Sequence, residues 1–432
     1  MSVPPRVVIT GLGLITSIGI GKERFWQASL AGRSGGRRVD LPWMVPARFF
    51  TQVGAPVRDF DYQEFDITPR EVDLLDRVSQ YAIAGALMAL KDAGFQLEPR
   101  DGRRHGYRVE GVCSERLAVI LGTGIGGLAT TEASHQRWTE GPERQMKRYF
   151  LPMLIPNAPA AQVAIRFGAN GECKAVTTAC AAGTMGAGDA FRAIRLGEAD
   201  VVITGGVDGI LSDHDGWGLK GFDLLRAMSA RNDDPEHASR PFDRERDGFV
   251  LSEGAGMLIL ESEEFARARG ARVYAEVCGY ETNCDAYHIV MLEPEGRQLV
   301  RLMTGLLRKT GTSPSDVQYI NAHGTSTQLN DKAETAAIRE VFGKHADGLL
   351  VSSTKSMTGH AIGASGGIEA AATALAIHTG QVPPTINYDY PDPECDLNYV
   401  PNRPEKRQID LALTNSYGFG GHNASLLLAR YR

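Results

Sequence analysis

Short apolar runs that end in glycine alternate with stretches of helical spacing along the whole of this 432-residue chain. Residues 6–13 are apolar and stop at a Gly turn, which predicts a buried strand, and 20–30 predict the first helix. Residues 31–70 mix Gly, Pro and aromatics without a period and read as an irregular, packed excursion. From 71 to 93 the positions Leu75, Val78, Ala82, Ala86, Ala89 and Leu90 supply one apolar helical face. A basic, Gly-containing stretch at 100–108 reads as an exposed loop. Further strands are predicted at 117–121, 174–178, 200–204 and 256–261. Past a charged helix at 262–270 a second series runs through 273–280, 317–321, 349–353, 411–415 and 424–429, with helices at 295–310 and 366–380 between them. This alternation predicts an α/β protein of two similar halves, 1–270 and 271–432, although no sequence repeat is detectable.

One stretch departs from the ordinary pattern. Lys174-Ala-Val-Thr-Thr178 reads as the end of a buried strand, and the residues after Cys180 are a run of Ala and Gly with one Met. Side chains that small suit a helix buried on every side, with neighbouring backbones close to it. Cys180 then stands at a strand-to-helix junction, where free N–H groups and the positive end of the helix dipole favour a thiolate.

Composition narrows the function. A 43% hydrophobic and 23% charged chain is ordinary for a soluble globular protein, and no apolar run approaches the ~18–20 residues of a membrane span. The N-terminus enters a strand almost directly and shows no signal-peptide core, so a cytoplasmic protein is expected. A formal charge of −6 gives no reason to expect nucleic-acid binding. The cysteines at 113, 173, 180, 278, 284 and 395 form no CxxC pair and no metal-ligand spacing, which leaves a single reactive thiol as the plausible chemistry.

Two histidines have chemical context. His323 lies in Asn321-Ala-His-Gly-Thr-Ser-Thr327, where a strand meets a Gly turn rich in hydroxyls. His360 closes Ser353-Thr-Lys-Ser-Met-Thr-Gly-His360, with Lys355 five residues before it. Gly122-Thr-Gly-Ile-Gly-Gly127 matches G-x-G-x-x-G but lacks a clear βαβ unit and a placed acidic residue, which argues against nucleotide binding. Gly363-Ala-Ser-Gly-Gly367 matches G-x-S-x-G, but its preceding strand ends about ten residues too early for a nucleophile elbow.

These motifs, in this order, resemble the β-ketoacyl–acyl carrier protein synthases, and most closely the type II elongating condensing enzyme. The resemblance runs from Val-Val-Ile-Thr-Gly-Leu-Gly at the start, through Thr-Ala-Cys180-Ala-Ala-Gly and Ser239-Arg-Pro-Phe-Asp-Arg-Glu-Arg-Asp-Gly-Phe-Val. It continues with the His323 motif, Asp331-Lys-Ala-Glu334, Lys355-Ser-Met-Thr-Gly-His360 and Asn415-Ser-Tyr-Gly-Phe-Gly-Gly-His-Asn. It implies a thiolase-like fold of two pseudo-duplicated halves with a five-layered αβαβα core, usually a homodimer. Cys180 is implied to hold the acyl group as a thioester. His323 and His360 would flank the malonyl group, Lys355 would orient or tune His360, and Glu334 would support the network. The N–H groups of Cys180 and Phe419 would hold the oxyanion, with Phe419 also a gate. Thr325 and Thr327 would hold the phosphopantetheine arm. Ile125 and Phe150 would line the acyl pocket, Phe150 from across the dimer, and the G-x-G-x-x-G match becomes a pocket wall. The implied partner is acyl carrier protein, which brings the phosphopantetheine itself, so no cofactor or metal of the chain's own is expected. Arg144, Lys147, Arg148 and Arg226 are candidates for docking it, although Glu71-Val-Asp-Leu-Leu-Asp76 is acidic where bacterial relatives are often basic.

The segments 211–224, with Trp217, and 100–108 look longer than usual. They keep open a ketosynthase of polyketide, polyene or other specialised lipid assembly, paired with a chain-length-factor subunit. Cys180 with both histidines argues against the chain being the non-catalytic partner subunit itself. The same pair of histidines argues against a degradative thiolase, which uses a second Cys, and an initiating synthase, which uses one His and one Asn.

Overall fold

A computed structural model describes residues 4–100, 105–140, 146–211, 214 and 216–432. Ten strands carry the core: β1 (Val7–Thr16), β2 (Leu117–Gly122), β3 (Cys173–Val176), β4 (Val201–Asp208), β5 (Gly254–Ser262), β6 (Ala275–Cys284), β7 (Tyr319–Asn321), β8 (Leu350–Ser352), β9 (Leu411–Gly418) and β10 (His422–Ala429). In the first half the order is β1-β5-β4-β2-β3, and in the second it is β6-β10-β9-β7-β8. Each half has two antiparallel pairings followed by two parallel ones, so the same path is traced twice. Val7–Ile9 of β1 also pair antiparallel with Ala275–Val277 of β6 and join the two halves along one edge.

Helices fill three layers around these strands. On the outside of the first half, α1 (Arg77–Asp92) packs on β1 and β5, and α2 (Ala158–Phe167) packs on α1. On the outside of the second, α4 (Arg297–Thr310) covers β6 and β10 and contacts α5 (Gln328–Phe342). Between the halves lie α3 (Ala182–Arg195) and α6 (Ser365–Thr379), which touch each other and strands of both. The apolar stripes of α1 and α4 face inward, as their periodicity requires, whereas α6 is buried over nearly its whole length.

A helix enclosed on all sides needs small residues at its closest contacts. A Cβ on Gly206 of β4 would lie 2.1 Å from the Gly363 carbonyl oxygen and 2.9 Å from Cα of Gly183, so only glycine lets β4, α3 and the turn before α6 meet. The Ala–Gly run after Cys180 is therefore the middle layer of the molecule.

The predicted strands all occur, with ends shifted by a few residues. The helix expected over 71–93 is two helices, Pro69–Val72 and α1, because Asp76 caps α1 by accepting the Val78 N–H at 3.0 Å. Within 31–70 the strands Arg37–Arg38 and Val53–Ala55 join Leu251–Ser252 in a small sheet. Of the expected exposed loop, 101–104 lie outside the described residues, and Tyr107–Val109 pairs with Leu97–Pro99. Part of 211–224 is also outside them, and its end is the helix Trp217–Leu224. Among the described residues no helix is long and apolar enough to cross a membrane.

Candidate active site

Four loops at strand ends meet over the middle layer. Cys180 stands in the turn Ala179–Ala181 between β3 and α3, and is buried. His323 follows β7, His360 follows β8 and the short helix Lys355–Thr358, and Phe419 sits in the turn between β9 and β10. A cavity of about 190 Å³ is lined by Cys180, His323, His360, Thr325, Thr327 and Phe419, with Phe222, Phe249 and Leu292 among its apolar walls. Three non-glycine residues beside these loops have positive φ: Ala179 (49°), Ser326 (70°) and Ile362 (48°). Such conformations cost about 1–3 kcal/mol each and persist only where surrounding contacts enforce them.

The two imidazoles are held at right angles, with ring centroids 5.5 Å apart. Lys355 Nζ donates to the His323 carbonyl at 2.7 Å and lies 3.4 Å from His323 Nδ1. His360 Nδ1 lies 3.0 Å from Ser365 Oγ, which already accepts the Ala361 N–H at 3.0 Å and so has its own hydrogen to give. With a donor at each Nδ1, neutral rings carry their proton on Nε2. Burial, then Lys355, then His360 hold His323 well below the ordinary imidazole pKa. Burial and Lys355 do the same to His360. Both are therefore neutral N–H donors.

Burial also pushes the Cys180 thiol up to about 12, despite opposing help from the Lys355 charge, the Phe419 N–H and its own N–H. The expected resting thiolate is thus corrected. Cys180 rests as a thiol, because a tight turn and an apolar surround separate it from the solvation that the helix terminus alone cannot replace. The same two N–H groups reach the sulfur, where an oxyanion on an attached acyl carbon would develop.

Glu334 supports one histidine from beneath. Its two oxygens accept the N–H groups of His323 and Gly324, each at 2.9 Å, and burial raises it to about 7. Lys355 is paired with Glu369 of α6, also buried and raised to about 7. The orienting role expected for Lys355 is corrected in its target: its hydrogen bonds go to His323, and its effect on His360 is through charge alone. Asp208, at the end of β4, binds the N–H groups of Gly124 (2.9 Å), Ile125 (3.2 Å) and Gly363 (2.7 Å), so one carboxylate joins the Ile125 wall to the loop after His360.

Known proteins resemble this chain over its length. The family description "Beta-ketoacyl synthase, N-terminal domain" matches residues 5–266, and "Beta-ketoacyl synthase, C-terminal domain" matches 274–389. The chain belongs to the β-ketoacyl synthase family. It is 44% identical over 430 residues to a 3-oxoacyl-[acyl-carrier-protein] synthase 2 of Synechocystis sp., covering 99% of this chain and 98% of the relative. It is 43% identical over 431 residues to the Staphylococcus aureus (strain N315) protein of that name, covering 100% of each. Among solved structures, a ketosynthase in complex with its type II PKS acyl-carrier protein matches with TM-score 0.88 and 34% identity over 99% of this chain and 100% of that one. As in these relatives, the fold is that of a thiolase-like ketosynthase, and the chain is an acyltransferase by family.

Other expected residues are dispersed in this ketosynthase. Thr325 and Thr327 line the cavity with their hydroxyls 3.0 Å apart. Ile125 packs in the apolar cluster that holds Cys180, whereas Phe150 begins a short helix and is not a cavity residue. Arg226 adjoins the lining residue Ala227 and lies over the Phe50 ring at 4.3 Å. Lys147 donates to the Asp73 carbonyl at 3.3 Å and Arg148 lies over Tyr149, and neither lines the cavity. Arg144 lies outside the described residues. Sequence reasoning did not single out Glu369 or Asp208, and it weighed Ser365 only as the serine of the G-x-S-x-G match, not as a partner of His360. Glu369 had a signal, being the one carboxylate in a helix made mostly of Gly, Ala and aliphatic residues.

Proposed function

We propose that this chain is an elongating 3-oxoacyl-[acyl-carrier-protein] synthase of fatty acid synthesis. Cys180 takes an acyl group from acyl carrier protein, and malonyl–acyl carrier protein then loses CO₂ and condenses with it. The observation that carries this reading is the convergence of one thiol, two oxyanion N–H groups and two neutral imidazoles on one cavity.

In the first half-reaction the sulfur attacks the acyl thioester, and the Cys180 proton leaves on the departing carrier thiol. In the second, C–CO₂ cleavage puts an electron pair on the malonyl thioester, and the Nε2–H groups of His323 and His360 stabilise it as an enolate. Attack on the acyl-Cys180 carbonyl forms an oxyanion held by the N–H groups of Cys180 and Phe419. Its collapse expels a thiolate whose high proton affinity returns it to the resting thiol, the proton coming from solvent.

The carrier-protein partner is supported by the names of the full-length relatives and by the structural neighbour that holds one. A polyketide role is not favoured, since identity to a ketosynthase held by its type II PKS acyl-carrier protein is 34% and to the ishigamide ketosynthase/chain length factor 35%, against 43–44% for the synthase 2 relatives. We also propose a cytoplasmic homodimer. The free edge of β3 among the described residues and the exposed Tyr149 and Leu151 beside Phe150 support pairing. The division into halves at 270/271 is supported by the repeated strand order and by the gap between the two family matches.

Intact mass after incubation with acyl–acyl carrier proteins of graded length tests the reading. A single acyl adduct, absent in Cys180→Ala, is expected, and no adduct with any donor would sink it.

A further inference from the structure

The chain carries net negative charge, yet one groove is strongly basic. A concavity of about 730 Å³ lies between the N-terminal end of the first helix (Lys22–Leu30) and the segments 16–20, 31–37 and 58–59. Arg24, Arg33, Arg37 and Arg58 line it, and Asp59 is the one carboxylate among its lining residues. Among the described residues, none of the four guanidinium groups has a hydrogen-bond or ion-pair partner. Arg37 Nε is also shielded from solvent and unpartnered. By contrast, Arg116 and Arg246 are paired closely, with Asp200 at 2.7 Å and Asp392 at 2.6 Å.

Four like charges lining one groove with a single carboxylate among them repel one another, and the half-buried Arg37 guanidinium with an unmet donor carries a desolvation cost. Both are relieved by a multiply charged oxyanion, whose oxygens match the planar fork of Arg. The volume is that of a small-molecule site, and the concave shape suits a compact ligand better than a protein surface. No residue of the groove lines the Cys180 cavity, so it is not the entrance used by the thioester substrates. It lies behind that site instead. Ser17 Oγ donates to the Thr358 carbonyl at 3.0 Å, and Gly35 N–H donates to the Met357 carbonyl at 2.7 Å, on the helix that leads to His360.

We propose that this groove binds a small ligand carrying two or more phosphate groups. The test needs no turnover and is independent of the condensation reading. Inorganic pyrophosphate and ADP are titrated calorimetrically at low salt into the full-length protein, the Arg37→Ala/Arg58→Ala variant and Arg226→Ala. Saturable binding of one ligand per chain is expected, weakened at least tenfold in the double variant and unchanged in Arg226→Ala. Equal affinity for the two probes assigns recognition to the phosphates alone, and tighter ADP binding adds a nucleoside contribution; both support the site. No saturable binding of either probe overturns it. So does equal binding by the double variant, or loss in that variant of acyl carrier protein binding when pyrophosphate does not bind at all. Circular dichroism and Tm of the double variant establish that it is folded, which these exposed and half-buried positions favour.

Discussion

Burial favours the uncharged form of Cys180, His323 and His360 alike, which raises the thiol and lowers the imidazoles. A consequence is measurable in the free enzyme. Alkylation of Cys180 by iodoacetamide should keep rising from pH 7 to pH 10 without a plateau, because the thiol titrates near 12; a plateau near pH 8 would contradict this. The Lys355–Glu369 pair yields a second expectation. Lys355→Ala leaves a buried carboxylate without its ion, a loss of about 3–5 kcal/mol for a broken buried pair. Glu369 already titrates near 7 in the fold, and removing the ammonium that lowers it moves it higher, while the unfolded chain keeps 4.5. The folded state then binds the proton more tightly than the unfolded state. Stability from this group is therefore present below about pH 4.5 and lost as pH rises past 7, so the Tm deficit of Lys355→Ala should be smaller at pH 5.5 than at pH 8. Lys355→Met with Glu369→Leu should recover Tm without recovering condensation.

At the scale of the element, the loops that carry chemistry are fixed by close backbone approach. A Cβ on Gly418 would lie 2.8 Å from the Thr178 carbonyl oxygen and 3.2 Å from the Cys180 nitrogen, one of the two N–H groups proposed to hold the oxyanion. Gly418→Ala should lower kcat by tenfold or more through displaced donors, with the protein still folded by circular dichroism; wild-type kcat would show that the turn yields freely. Much of this was legible in the sequence. Strand ends, the glycine turns, Cys180 and both histidines stand in motifs of characteristic order, and the Ala–Gly run pointed to an enclosed helix. The partners of those residues were not legible. The family resemblance implied His360 as the target of Lys355, five residues away in the chain, whereas the fold carries its ammonium to His323. The thiolate expectation failed for a related reason: helix position is local, but burial depends on Phe249, Ile362 and other residues distant in sequence.

At the scale of the molecule, α3 and α6 belong to neither half alone. Each contacts strands of both, so separating the halves would expose two largely buried helices. Fragment 1–270 expressed alone should be insoluble or lack a cooperative urea transition, and the intact chain should give coincident transitions by circular dichroism and Trp fluorescence. A soluble fragment with its own cooperative transition would mean that the first half is autonomous. The division at residue 270 therefore separates structural duplicates that share one core.

The position of β1 bears on how the chain is made. Of the ten core strands it is the first to leave the ribosome, yet beyond the two-residue strand Gly19–Ile20 its strand partners are β5 and β6, with Ile15 facing Ala255 and Val7 facing both Ser262 and Val277. About 250 residues must be polymerised before either arrives, which at ~5–20 residues per second takes roughly 12–50 s. For that interval an apolar ten-residue strand lacks both long strand neighbours, with only Gly19–Ile20 and α1 available to cover it, and it is exposed to chaperones and to other nascent chains. Ribosome-stalled chains ending before β5 should remain protease-sensitive across residues 7–16, and full-length released chains should be protected there.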